Sequence, residues 1–150
     1  MGKVLGVHIA KGHCRFSVLE GSKTSPTLVD KGRLITPGIE DVPALMNWYD
    51  SQFRQLITSY QPSKIAYRLT LEPNKDQLIC SEFPLGVLNL IAHQRSLPIT
   101  GYTAKSFTPS RAGLPKNSDL YAECDTQLGK HPPYWDDAQK HSAIVAWFEL

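Results

Sequence analysis

No apolar run in this 150-residue chain approaches the ~20 residues of a transmembrane helix, so a helical membrane span is excluded. Cysteine is scarce: Cys14, Cys80 and Cys124 stand far apart, with no CxxC pair. An odd, scattered set supports neither a zinc knuckle nor a disulfide framework, and it reads as buried, reduced thiols. Charge of one sign is also missing, since 16 Lys and Arg against 14 Asp and Glu leave a formal +2. Any anion-binding surface must therefore come from clustering. The sequence has no G-x-x-x-x-G-K-[ST], no G-x-S-x-G and no H-E-x-x-H, which removes support for P-loop nucleotide hydrolysis, α/β-hydrolase and zincin chemistry. The opening "MGKVLG" lacks a signal-peptide pattern, and Gly6 stands where a myristoylation motif wants Ser or Thr. A cytoplasmic protein is expected.

The residues that are present describe an ordinary folded chain, 41% hydrophobic and 20% charged, read as one domain over 1–150. Val4, Leu5, Val7 and Ile9 predict a strand apolar on nearly both faces, as in a sheet centre. "AKGH" predicts a turn, and the alternating "CRFSVLE" its hairpin partner. "TLVDKGRLIT" predicts a third strand, interrupted at Lys31-Gly32. Asp41 caps a predicted helix running to about Tyr60, with Leu45, Tyr49, Phe53, Leu56 and Ile57 at helical spacing. "KIAYRLTLE" predicts a fourth strand, a helix is expected from about Ser81 over "EFPLGVLNLIAHQR", and "LPITGY" predicts a fifth strand. Residues 103–134 are rich in Pro, Gly, Ser and charge, with a single helical turn around "DLYAECDTQL". Asp136 or a neighbour opens the last helix, "DDAQKHSAIVAWFEL", apolar nearly all round in its final turns.

The order β-β-β-α-β-α-β-α, carried by "VLGVHIAKGHCRFSVLEG", "SKIAYRLTLE" and "WDDAQKHSAIVAWFEL", resembles the RNase H-like superfamily. Within it the chain is most similar to the RuvC-type junction resolvases and the small bacterial families related to them. The resemblance implies an α/β fold, a mixed five-stranded sheet with helices on both faces. It also implies where catalytic carboxylates stand in active members: mid-way along the first strand, on the fourth strand, and on the last helix. Those carboxylates hold two divalent ions ~3.5–4 Å apart around the scissile phosphate, and hard ions such as Mg²⁺ require oxygen ligands. Carried onto this chain, the positions fall on His8, Arg68 and Ser142, with Gln139 one turn before Ser142. In that register every acidic ligand is replaced, so neither metal nor cofactor is expected.

Other readings stay open beside this one. His8 is a strand histidine satisfied by a hydrogen bond, a metal ligand or a general base. Arg68 pairs with Glu72 or Asp137, or joins His8 in a small anion site. Asp136 or Asp137 caps the last helix. Alternatively Glu72, Asp136, Asp137 and His141, with His8, rebuild an acidic site for Mg²⁺ or Mn²⁺ and metal-dependent cleavage. Lys105, Arg111 and Lys116, interleaved with hydroxyls and Phe107, form a basic loop suited to nucleic-acid phosphates. Trp48, Trp135 and Trp147 are core or interface anchors, so the candidate partners are nucleic acid, a protein partner or a second copy.

Overall fold

A computed structural model describes residues 2–150. The strands β1 (Val4–Ala10), β2 (His13–Gly21), β3 (Pro26–Ile35), β4 (Lys64–Arg68) and β5 (Ile99–Tyr102) form one sheet in the order β3-β2-β1-β4-β5. The first three pair antiparallel, whereas β4 and β5 are added parallel to β1. Around the sheet lie α1 (Val42–Tyr60), α2 (Lys75–Gln77), a π-helical turn (Leu78–Glu82), α3 (Phe83–Gln94), α4 (Leu120–Leu128) and α5 (Asp137–Phe148). The expected mixed five-stranded sheet with helices on both faces is present. Among the described residues no helix is long and apolar enough to cross a membrane.

Strand alternation assigns the layers. Leu5, Val7, Ile9, Cys14, Phe16 and Val18 point to one face, where they meet Tyr49 and Phe53 of α1 and Leu88 and Ile91 of α3. Val4, Leu19 and Ala66 point to the other, against Cys124 of α4 and Ile144 and Trp147 of α5. α5 packs between the sheet and α4, which explains why it reads as apolar all round: every residue from Ser142 to Phe148 is buried. Trp147 is fully enclosed and its indole N–H donates to the Lys23 carbonyl at 3.0 Å.

Local signals account for the helix ends. Asp41 caps α1 by accepting from the Ala44 N–H at 3.0 Å, and Pro43 occupies the first turn, where no N–H is needed. The helical segment before α3 starts earlier than Ser81, because Asn74 and Gln77 form a capping box ahead of α2. The π turn then absorbs Pro84. Phe83 donates to the Leu78 carbonyl five residues back, just before a proline that has no N–H to give. The region expected to hold one helical turn instead forms α4, capped by Asp119. Nor is β3 interrupted at Gly32. That glycine lies opposite Phe16, and a Cβ there would fall 2.4 Å from the ring, so the missing side chain makes room for an aromatic on the neighbouring strand. Cys14 and Cys124 are buried as expected, while Cys80 is exposed on the π turn.

Candidate functional site

The site lies where the α5 face of the sheet emerges past the helix N-terminus. Register alone lines up one row of side chains: Arg33 on β3 pairs with Arg15 on β2, and Arg15 pairs with His8 on β1. Arg68 follows on β4, one residue beyond the Val7–Tyr67 pair, and is itself paired with Tyr102 on β5. A sheet seldom sets three arginines and a histidine in a single row, since like charges directly opposite repel. Here each cation has its own device for being tolerated.

Arg15 is 3% exposed and donates through both terminal nitrogens to Asp136, at 2.7 and 3.0 Å. Asp136 also accepts from the Gln139 N–H at 3.1 Å, so one carboxylate caps α5 and ties it to β2. Burial opposes its ionisation, but the Arg15 and backbone hydrogen bonds outweigh it and hold its carboxyl below the usual range. Next along the helix, Gln139 is buried and donates to the Phe16 carbonyl at 2.7 Å and to Ser17 Oγ at 3.0 Å. Ser142 donates to the Gln139 carbonyl at 2.7 Å and stands 2.6 Å from Ser17 Oγ. Ser17 is therefore the donor in that last pair.

His141, one residue before Ser142, is the side chain that meets His8. Its Nδ1 lies 3.5 Å from His8 Nε2 and the rings cross edge to face with centroids 4.8 Å apart. Burial first, then His141 and Arg68, push His8 down to about 3. Burial and Arg68 push His141 down to about 4, against a smaller opposing effect of Asp137 and Asp136. Both imidazoles are consequently neutral at pH 7, one donating to the other, while His8 Nδ1 is buried with no partner among the described residues.

Arg68 closes the row. Among the described residues it forms no salt bridge, with Glu72, Asp137 or any other carboxylate. Its guanidinium instead lies under the Phe107 ring at 4.3 Å and approaches the Tyr121 hydroxyl at 3.4 Å. Phe107 also contacts His141 and Phe148 edge to face, at 5.7 and 5.4 Å between centroids. His8, His141, Arg68, Phe107 and Tyr121 thus make one aromatic–cationic cluster with no carboxylate in it.

The structure brings His8, Arg68 and His141 together and sets Ser142 one residue away, against Ser17. Glu72 is exposed beyond β4, Asp136 is held by Arg15, and Asp137 is exposed on the first turn of α5. Among the described residues, no three His, Cys, Asp or Glu side chains converge as a group that could hold a metal. Lys105, Arg111 and Lys116 are all exposed on the loop after β5. Arg111 is steadied by donating to the Ser106 carbonyl at 3.0 Å. Sequence reasoning missed Arg15, Arg33 and Tyr134 as parts of this region. The signal for Arg15 was available, since strand alternation places it on the face of His8, directly across the hairpin.

At the level of sequence the chain matches no family model and no curated protein. Solved structures do match. RuvC of T. thermophilus in complex with a Holliday junction substrate superposes with a TM-score of 0.77 at 13% identity, covering 99% of this chain and 92% of that one. A further Thermus thermophilus RuvC structure gives 0.73 at 16% identity over 97% and 92%. The yeast mitochondrial Holliday junction resolvase Ydc2 gives 0.70 at 15% identity over 97% and 76%. The fold is that of the RuvC-type resolvases.

On the RuvC-type fold, the two-ion chemistry implied by the resemblance needs oxygen ligands. The residues present do not fit it. They offer two imidazoles already hydrogen-bonded to each other and a guanidinium. A divalent ion ~4 Å from Arg68 would be repelled by about 8 kcal/mol at an effective dielectric of about 20.

Proposed function

We propose that this chain is a nucleic-acid-binding domain of RuvC-type fold that acts without hydrolysis, as a scaffold or accessory subunit in nucleic-acid processing, recombination or defence. One observation carries the reading: the cluster of His8, Arg68 and His141 lacks any carboxylate and is closed over by Phe107. The binding half is supported by the exposed Lys105, Arg111 and Lys116 and by a similar fold seen in complex with a Holliday junction substrate. Cations in such a loop position phosphates without reading bases.

Binding of a four-way DNA junction, measured at rising salt, tests both halves. Each lost phosphate contact flattens the slope of log affinity against log salt by about 0.9. The variant K105E/R111E/K116E is expected to flatten that slope by about 2–3 and to weaken binding at least tenfold. Wild-type protein with Mn²⁺ is expected to release no cleaved product from junction, duplex or single-stranded substrates. Metal-dependent cleavage abolished by Asp137→Asn would replace this reading with an active nuclease built on the acidic residues of α5.

A further inference from the structure

We infer that Tyr134 is a stacking platform for an unpaired nucleobase, a site that rests on the nucleic-acid-binding reading above but is distinct from the basic loop. Tyr134 is 52% exposed, a high value for a large aromatic side chain. One face of its ring is taken by the Arg33 guanidinium, 3.7 Å from the ring centroid, with the Arg15 guanidinium 5.9 Å away. Stacking of this kind holds the ring flat against the sheet edge and leaves the rest of it to solvent.

The backbone beneath it is held as firmly. Arg15 donates to the Tyr134 carbonyl at 3.2 Å, and Lys31 donates to the preceding Pro133 carbonyl at 2.7 Å. Tyr134 itself sits at φ 64, a left-handed conformation that a bulky residue rarely adopts. Three cations from β2 and β3 therefore fix a strained residue so that its ring faces outward, away from both hydrophobic cores. A structural role alone would not need the ring exposed.

The chemistry selects the partner. An exposed, pre-oriented aromatic backed by the exposed Arg33 offers a π-face for a base and positive charge for the adjoining phosphate, the combination used for single-stranded nucleic acid. Its place fits as well. The same row of the sheet runs from Arg33, under Tyr134, to Arg68, under Phe107. That is three strand spacings of ~4.8 Å, so a strand held by the basic loop has a short distance to span.

The test uses a four-way junction and a single-stranded oligonucleotide, each carrying 2-aminopurine at an unpaired position. Stacking on Tyr134 quenches the probe, so quenching on binding is expected for wild type and for Tyr134→Phe. Tyr134→Ala should abolish the quench and weaken binding of the single strand about tenfold. Its thermal unfolding should drop by no more than a few degrees, the loss of one exposed contact with Arg33, so the protein stays folded for the binding assay. A Tyr134→Ala protein that binds and quenches like wild type, while K105E/R111E/K116E still weakens binding, would overturn the platform and leave the nucleic-acid reading standing. Absence of any binding by wild type would overturn both, and with them the choice of nucleic acid over a protein partner.

Discussion

Acidification from pH 7 to 4.5 is expected to lower folding stability by on the order of 3 kcal/mol, most of it lost above pH 5, ahead of most carboxylate protonation. The cause is the paired imidazoles. In the unfolded chain a histidine takes up its proton near 6.5, whereas the folded protein holds His8 down at about 3 and His141 at about 4. Between those values the unfolded state binds more protons than the folded one, so stability is fully present above pH 6.5 and falls as the pH drops. For each histidine, every pH unit crossed in that window costs up to about 1.4 kcal/mol. The total is discounted because His141 is only partly enclosed and solvent screens it. Urea unfolding at pH 7, 5.5 and 4.5 checks this through the midpoint. The double variant His8→Asn/His141→Asn should flatten the dependence across that window. An unchanged slope in the double variant would mean that the acid sensitivity arises elsewhere.

Gly6→Ala is expected to destabilise the fold by about 3 kcal/mol or more, a large share of the ~5–15 kcal/mol typical of a domain. A Cβ at Gly6 would lie 1.9 Å from the Ser142 carbonyl oxygen and 2.9 Å from the Ala146 Cβ. The first of these is helix backbone and cannot swing away, so α5 would have to lift off β1. That lift would separate Gln139 and Ser142 from Ser17 and draw His141 away from His8. Gly86→Ala is the control. It lies within α3 with nothing inside 4 Å of the added carbon, so it should be neutral or stabilise by up to ~1 kcal/mol. Thermal unfolding of the two variants should therefore shift in opposite directions or, at least, by very different amounts.

The fold was largely legible in the sequence because its signals are local. The apolar run of Val4–Ala10, the turn signal after it and the alternation in His13–Gly21 gave the hairpin, and the spacing of Leu45, Tyr49, Phe53 and Ile57 gave the long helix with its Asp41 cap. The misplaced boundary before α3 had a local signal too, the Asn74–Gln77 capping box, obscured by Pro84 in the following turn. The site was harder, because its geometry depends on how α5 rotates above the sheet. A shift of one residue exchanges His141 for Ser142, and Gly6, by admitting the Ser142 carbonyl, fixes which one faces His8 together with the Arg15–Asp136 and Gln139–Ser17 contacts. Arg68 was expected to seek a carboxylate. It takes Phe107 instead, a contact from a loop nearly forty residues downstream that no spacing rule reports.

The pocket at His8, Arg68 and His141 holds one guanidinium, two neutral imidazoles and no carboxylate, which is too poor in oxygen ligands to hold a hydrated divalent ion. Manganese titration of the pure protein, followed by electron paramagnetic resonance of the free ion and by thermal unfolding, tests it directly. The account predicts no saturable binding in the micromolar range and no rise in unfolding temperature. A bound manganese that stabilises the fold, and that is lost in both His8→Ala and His141→Ala, would contradict it.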